Sequence, residues 1–470
     1  MKRIYLDYAA STPIDPKVLE VTGKYFKNTY GNPGSLHSFG QEAIAALDKS
    51  RETIAASLGA EFREIIFTGS ATEANNFALR GAVKQFKILN FKFKIIPKII
   101  ISAIEHESVM ETARDLEREG SIELVVFPVN KYGFVSPKKL EALLDERVIL
   151  VSVMYANNEI GTVQPIFEIS KIIESFKNRN FKFQISNLKL NNVYPLFHTD
   201  AVQAFQYLDC NVDALGVDLM TLSAHKIYGP KGVGALYVRK YEARNTKYET
   251  STNDKKKNDQ NKNILDFGFR ISNLQQLVSP IVVGGNQEFG MRSGTENVPI
   301  VAGFAEAVRI ADSIRKKESA RIKKLKTYFI LGLKNNFKGV EINPVRNIPR
   351  QDHLGARRAG EISNGVNGRY GENFLPNIIN VYFPRILSEE LLIALDMAGI
   401  AVSSGSACSA RSSEPSRVLR AVMDYLPTTA GMKENHARHS VRFSMGKYTK
   451  KEELRYVMSV LKKIENITTS

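Results

Sequence analysis

Seven short apolar runs, most of them separated by stretches of helical spacing, constrain this chain more than any other feature. They fall at residues 65–67, 99–101, 124–126, 148–153, 196–198, 219–222 and 235–238. Runs that are apolar throughout, not alternating, belong to strands buried on both faces, as in parallel sheets covered by helices. The expected fold is therefore α/β, with a mostly parallel seven-stranded sheet flanked by helices. The last run returns after a tight Gly/Pro turn. In such sheets ligands sit outside the carboxyl ends of the strands. Five polar clusters stand there: Thr68-Gly-Ser-Ala-Thr72, Glu105-His106, Tyr155-Ala-Asn-Asn158, Asp200-Ala-Val-Gln203 and Ser223-Ala-His-Lys226.

Around this sheet, helices are expected at about 17–26, 39–58 and 300–333, the second from Ile44, Leu47, Ile54 and Leu58 at helical spacing. Tyr5 to Pro13 reads as a short strand broken by proline, and Gly31-Asn-Pro-Gly-Ser35 as a turn. Strand-like runs at 378–383, 401–403 and 441–443, with helices at 389–397 and 451–464, predict a smaller α+β domain. The expected division is a large domain over 15–300 and a small one from 1–14 with 301–470.

Hydrophobic residues at 43% and charged residues at 24% suit a soluble globular protein, and no apolar run reaches membrane-spanning length. Two cysteines argue against a disulfide framework and for a reducing, cytoplasmic setting. The net charge of +16 is concentrated in four segments, 84–98, 177–189, 239–263 and 346–372, which carry +5, +4, +4 and +2. Segments 84–98 and 177–189 follow helices and precede strands, so they are expected on the face away from the strand-end crevice. There they are suited to an acidic partner or to RNA, or are tolerated insertions that merely keep the protein soluble. Residues 240–263, rich in Asn, Lys, Thr and Asp, read as a solvated loop.

Lys226 is expected just past a buried strand, where desolvation favours the neutral, nucleophilic amine, with Ser223 and His225 at the spacing that holds a phosphate beside it. Gly69-Ser-Ala-Thr72 opens a helix whose free N–H groups form an anion cradle. A buried Asp200 needs a partner, which a protonated pyridine nitrogen would supply, and His106 is placed to stack on a flat ring. Together these are the parts of a pyridoxal 5′-phosphate site.

On these motifs the chain resembles the group I cysteine desulfurases, pyridoxal-phosphate enzymes of aminotransferase fold type I (class V). The likeness also rests on Asn157-Asn-Glu-Ile-Gly161, Gly290-Met-Arg-Ser-Gly-Thr295, Ser403-Ser-Gly-Ser-Ala-Cys408 and Val441-Arg-Phe443. It implies that Lys226 forms the Schiff base with the cofactor, Asp200 pairs with the ring nitrogen, Gln203 bonds the ring hydroxyl and His106 stacks on the ring. Ala71, Thr72, Ser223 and His225 would bind the phosphate, joined by Thr295 of a neighbouring subunit in a homodimer. Asn158 would lie near ring and substrate, Arg442 would clamp the substrate carboxylate, and Asn32 would add a second contact to it.

Cys408, in a run of small residues, would take sulfur from L-cysteine as a persulfide, releasing L-alanine. The sulfur would pass to an acceptor protein serving iron–sulfur cluster assembly or tRNA thiolation. No resident metal is expected, beyond transient contact of Cys408 with a cluster on a scaffold. Cys210 reads as a buried apolar residue. Competing readings are a selenocysteine lyase or other β-eliminase, and an inactive paralogue that only binds sulfur-transfer partners. The intact Cys408 loop speaks against the first, and Lys226, Asp200 and Arg442 against the second. Two positions depart from the family pattern: Asn286 where a third glycine is usual, and Phe289 where an arginine is usual.

Overall fold

The computed structural model describes residues 3–90, 95–179, 193–240, 277–344, 373–405, 415–424 and 430–469. It opens with a two-residue strand β1 (Ile4–Tyr5), helix α1 (Pro16–Asn28) and helix α2 (Ser38–Leu58). Asp15 caps α1, whose first position is a proline with no N–H to satisfy. α2 stops at Gly59, which takes a left-handed φ of 65°.

Strands and helices then alternate: β2 (Ile65–Thr68), α3 (Ala71–Leu89), β3 (Lys98–Ser102), α4 (Glu107–Arg118), β4 (Glu123–Phe127), α5 (Pro137–Glu141) and β5 (Val148–Ser152). They continue with α6 (Ile166–Arg179), β6 (Leu196–Asp200), α7 (Val212–Leu215), β7 (Leu219–Ser223) and β8 (Gly234–Val238). The seven strands form one sheet in the order β2-β8-β7-β6-β5-β3-β4. All neighbours are parallel except β8, which runs against both β2 and β7. Every residue of β3, β5, β6 and β7 is buried, which is why these runs are apolar without alternation. Each Val, Leu or Ile so buried contributes roughly 1.5–3 kcal/mol.

The long helix α8 (Val298–Asn336) packs against α1 and α2. Beyond it come β9 (Glu341–Asn343), β10 (Ile378–Tyr382), α9 (Ser388–Met397), β11 (Ile400–Ala401), α10 (Arg417–Met423), α11 (Ala430–Arg438), β12 (Ser440–Ser444) and α12 (Lys451–Thr469). β9, β10 and β12 form an antiparallel sheet, while β11 pairs in parallel with β1. Most expected elements recur within a few residues, but the strand expected over Tyr5 to Pro13 is cut back to Ile4–Tyr5, the only residues there that pair with β11. The expected strand at 401–403 is shorter, because only Ile400 and Ala401 pair with β1 and Ser403 forms an isolated bridge to Arg442. No helix among the described residues is long and apolar enough to cross a membrane.

Of the basic segments, residues 91–94, 180–189, 241–263 and 346–372 lie outside the described residues, as does Cys408; in 84–98, Lys84 and Lys87 belong to α3 and Lys98 to β3, where it pairs with Asp145. The described flanks of two segments, Asn90 with Ile95 and Arg179 with Val193, lead from α3 and α6 into the amino ends of β3 and β6. The polar clusters follow the carboxyl ends of the same strands.

Candidate active site

The N-terminal stretch from Asp7 to Thr12 touches four of the expected site residues, Gln203, His225, Lys226 and Arg442. Lys226 closes a short 3-10 turn, Ala224–Lys226, directly after β7. Its Nζ donates to the backbone carbonyls of Ala9 and Ala10, both at 2.7 Å. Gln203 Nε2 donates to the same Ala9 carbonyl at 2.8 Å. His225 Nδ1 lies 3.3 Å from Ser11 Oγ, and Thr12 Oγ1 donates to the His225 carbonyl at 2.9 Å. Burial pushes the His225 pKa down to about 4, with the adjacent Lys226 acting in the same direction.

Asp200 ends β6 and is 5% exposed. Its Oδ1 accepts from Val202 N–H and its Oδ2 from Asn75 Nδ2, at 3.0 and 2.8 Å. Asn75 also donates to Ser108 Oγ at 2.8 Å, and Ser108 Oγ lies 2.7 Å from His106 Nδ1. Because Asn75 donates to it, the Ser108 hydroxyl is free to donate to His106, so Nδ1 accepts and the imidazole proton sits on Nε2. Burial lowers the His106 pKa, Asp200 opposes and Lys226 reinforces, which keeps the ring neutral. The chain His106–Ser108–Asn75–Asp200 fixes ring orientation and carboxylate together.

Below it, Glu105 accepts from Ser102 Oγ at 2.5 Å and from Met154 N–H at 2.7 Å. Burial raises its pKa to about 8, so at neutral pH the floor of the site carries a proton and not a second negative charge. His198, fully buried between Ser152 Oγ (2.8 Å) and Thr221 Oγ1 (3.1 Å), is pushed by burial to a pKa of about 4. Between about pH 6.5 and 4 the unfolded chain binds a proton that folded His198 does not, so folding loses stability as pH falls through that window. His198→Gln is expected to remove about 3 kcal/mol of that pH-dependent loss. Chemical denaturation of both proteins from pH 7 to 4 checks this, and parallel pH profiles would refute it.

At the start of α3, Ser70 caps Glu73 N–H at 3.1 Å and Glu73 Oε2 accepts Gly69 N–H at 2.8 Å. The amides of Ala71 and Thr72, in the first turn of α3, have no preceding helical carbonyl to bond. Gly234 backs this turn, and a Cβ there would come 2.7 Å from Ser70 C and 2.8 Å from Ala71 N. Strand register sets Gly234 between Thr68 and the buried Ser223. The result is a close, amide-lined cradle beside Lys226.

Arg442 on β12 is 1% exposed. It donates to the Asn158 carbonyl at 2.9 Å and to Asp7 Oδ1 at 2.8 Å, while its buried Nε has no partner among the described residues. A buried guanidinium with an unused donor suits a ligand carboxylate. Asn158 itself is buried through its turn. Asn32 and Thr295 are exposed, and among the described residues no hydrogen bond joins either to this cluster; Asn32 Oδ1 accepts Gly34 N–H at 2.9 Å. Cys210 is buried and its thiol is pushed up to about 12, as expected of an inert cysteine.

The departures from the family pattern have local accounts. Asn286 keeps the left-handed φ, 62°, that a glycine would take, which asparagine tolerates better than most residues. Phe289 lies with its ring 4.8 Å from the Arg51 guanidinium. Sequence reasoning missed Asp7, the Ala9 and Ala10 carbonyls, Ser108 and Arg417. Arg417 donates to the Ala103 and Glu105 carbonyls at 2.6 and 2.5 Å, just ahead of His106.

In the strand order the lysine that follows β7 stands between the acid that ends β6 and the amide cradle that follows β2, an arrangement that fits pyridoxal phosphate. That fit agrees with ancestry: residues 4–354 and 361–457 match the aminotransferase class-V family. The chain belongs to that family, whose cofactor is pyridoxal phosphate, and within it to the cysteine desulfurases. It is 38% identical to "Cysteine desulfurase IscS" of Dictyoglomus turgidum (strain DSM 6724 / Z-1310), across 99% of this chain and 95% of that one. A solved "NIFS-like protein" superposes with a TM-score of 0.74 at 30% identity, covering 99% of this chain and all of the other. "SspA in complex with cysteine" superposes with a TM-score of 0.66 at 29% identity, over 96% of this chain and all of that one.

Proposed function

We propose that this chain converts L-cysteine to L-alanine and leaves the sulfur on Cys408 as a persulfide. The observation that carries this is Arg442, a buried guanidinium with a spare donor, bound to Asp7 in the same short segment whose Ala9 and Ala10 carbonyls hold Lys226. The bound cofactor would supply an electron sink for the carbanion that cleavage at the substrate's α- and β-carbons requires. Lys226 would hold the cofactor and then carry the α-proton. Asp200 would face the ring nitrogen, held by Asn75, and Gln203 would face the ring hydroxyl. His106 would lie on the ring face with its proton on Nε2. Ala71, Thr72, Ser223 and His225 would surround the phosphate, and Asn158 would border ring and substrate, with Asn32 as a further contact.

In the overall exchange the cysteine C–S bond breaks and a new S–S bond forms on Cys408. The substrate carbon gains the proton that the two thiols give up, so neither oxidant nor reductant is needed. The described residues on either side of Cys408 support a place for it near Arg442. On one side Ser403 exchanges backbone hydrogen bonds with Arg442, and on the other Ser416 Oγ donates to the buried Glu159 at 2.5 Å.

We also propose two domains, 15–300 and 1–14 with 301–470, on the pairing of β1 with β11. A cytoplasmic homodimer in which the exposed Thr295 reaches the neighbour's phosphate completes the proposal. A sulfur-acceptor protein for cluster assembly or tRNA thiolation would receive the product sulfur.

The test is turnover of L-cysteine by the purified protein, scored by equal yields of alanine and protein-bound sulfur. Arg442→Gln is expected to raise KM for cysteine about 100-fold or more, since a buried, charge-assisted pairing with the substrate carboxylate is lost. An Arg442→Gln enzyme with unchanged KM would remove Arg442 from the clamp.

A further inference from the structure

The turn that carries the amide cradle is tied at two points to the loop at 286–295. At the inner point Arg51 and Glu288 form a buried two-bond pair, at 2.7 and 2.8 Å, with side chains 3% and 1% exposed. Glu288 Oε2 also accepts Phe67 N–H at 2.8 Å, one residue before the end of β2. The loop is strained there: Asn286, Glu288 and Phe289 have φ of 62°, 49° and 60°. Such backbone persists only where its surroundings over-determine it, and the Arg51 pair and the Phe289 ring against Arg51 do so.

At the outer point Arg292 meets Glu73, with Nε to Oε1 at 2.8 Å and Nη2 to Oε2 at 3.3 Å. Glu73 is in the first turn of α3, two residues from Ala71, and spends its Oε2 on Gly69 N–H. A carboxylate in that place stabilises the empty helix end but would repel a phosphate dianion at the same amides. Arg292 neutralises it without displacing it.

We infer that Arg292 and Glu73 are positioning residues for the cofactor's phosphate: Glu73 shapes the turn by holding Gly69 N–H, and Arg292 cancels the charge that this would set beside the phosphate. The inference rests on placing the phosphate at Ala71 and Thr72.

It is tested by reconstituting full-length apoprotein with pyridoxal 5′-phosphate, and separately with pyridoxal, which lacks the phosphate, while following the visible absorbance of the lysine linkage. Arg292→Gln is expected to weaken pyridoxal phosphate about tenfold, equivalent to about 1.4 kcal/mol, and to leave pyridoxal within about twofold. Adding Glu73→Gln to it removes the unpaired charge and is expected to restore most of the affinity.

Equal loss for both ligands in Arg292→Gln would show a merely structural role and overturn the inference. Failure of the double variant to recover would also overturn it, provided its apoprotein unfolds at the wild-type denaturant concentration; Arg292→Lys, which keeps the charge, serves if it does not. Thr72→Asp separates the two levels. Normal pyridoxal phosphate affinity in that variant would overturn the cradle placement itself. Loss there beside an unaffected Arg292→Gln would overturn the Arg292 role alone.

Discussion

Lys226→Ala is expected to lower cysteine turnover by on the order of 10⁴-fold or more, because in the proposed reaction one side chain serves both as attachment point and as proton carrier. Lys226 donates to two carbonyls of the crossing N-terminal segment, at 2.7 Å each, and follows a fully buried strand. Its amine is therefore held in one place, and no other lysine in the described cluster can substitute. The alanine variant should still bind pyridoxal phosphate, loosely, through Asp200 and the amide cradle, but without the visible absorbance of a lysine linkage. Alanine release is the decisive measurement. Production near the wild-type rate would remove Lys226 from the chemistry, whatever the absorbance shows.

The second large effect is expected at Cys408. Cys408→Ser should bind cysteine normally yet carry no persulfide, since a hydroxyl is a far poorer nucleophile toward sulfur than a thiolate. Cys210→Ser should leave sulfur transfer intact, because Cys210 is buried and its thiol is held protonated with a pKa of about 12. Radiolabelled cysteine followed by non-reducing electrophoresis distinguishes the two. Label retained in Cys408→Ser and lost in Cys210→Ser would reverse the assignment. Loss of label in neither variant would place the sulfur on no cysteine of this chain.

The central sheet was legible because its strands are buried on both faces, and that burial is written directly into composition at 99–101, 148–153 and 219–222. Site residues that follow those strands were legible for the same reason, as polar clusters interrupting apolar runs. β1, β11 and β9 were harder, since two or three residues carry too little periodicity to identify a strand. The Asp7–Arg442 pair was not legible at all. Its partners are 435 residues apart, and nothing near either one specifies the other. The same holds for Asn75, whose helical position is plain but whose two acceptors come from β6 and from the first turn of α4.

Asp7 and Ala9 leave the ribosome 435 residues before Arg442 and Ser444 respectively. Asp7 binds Arg442, and Ala9 N–H is received by Ser444 Oγ at 2.9 Å. During synthesis the segment under Lys226 therefore has no C-terminal anchor until β12 has emerged. Closing a loop of that length adds only logarithmically to the entropy cost, but contacts so distant in sequence form late. A nascent chain can complete its central sheet while the proposed carboxylate clamp does not yet exist, so on that proposal competence to engage substrate waits for β12.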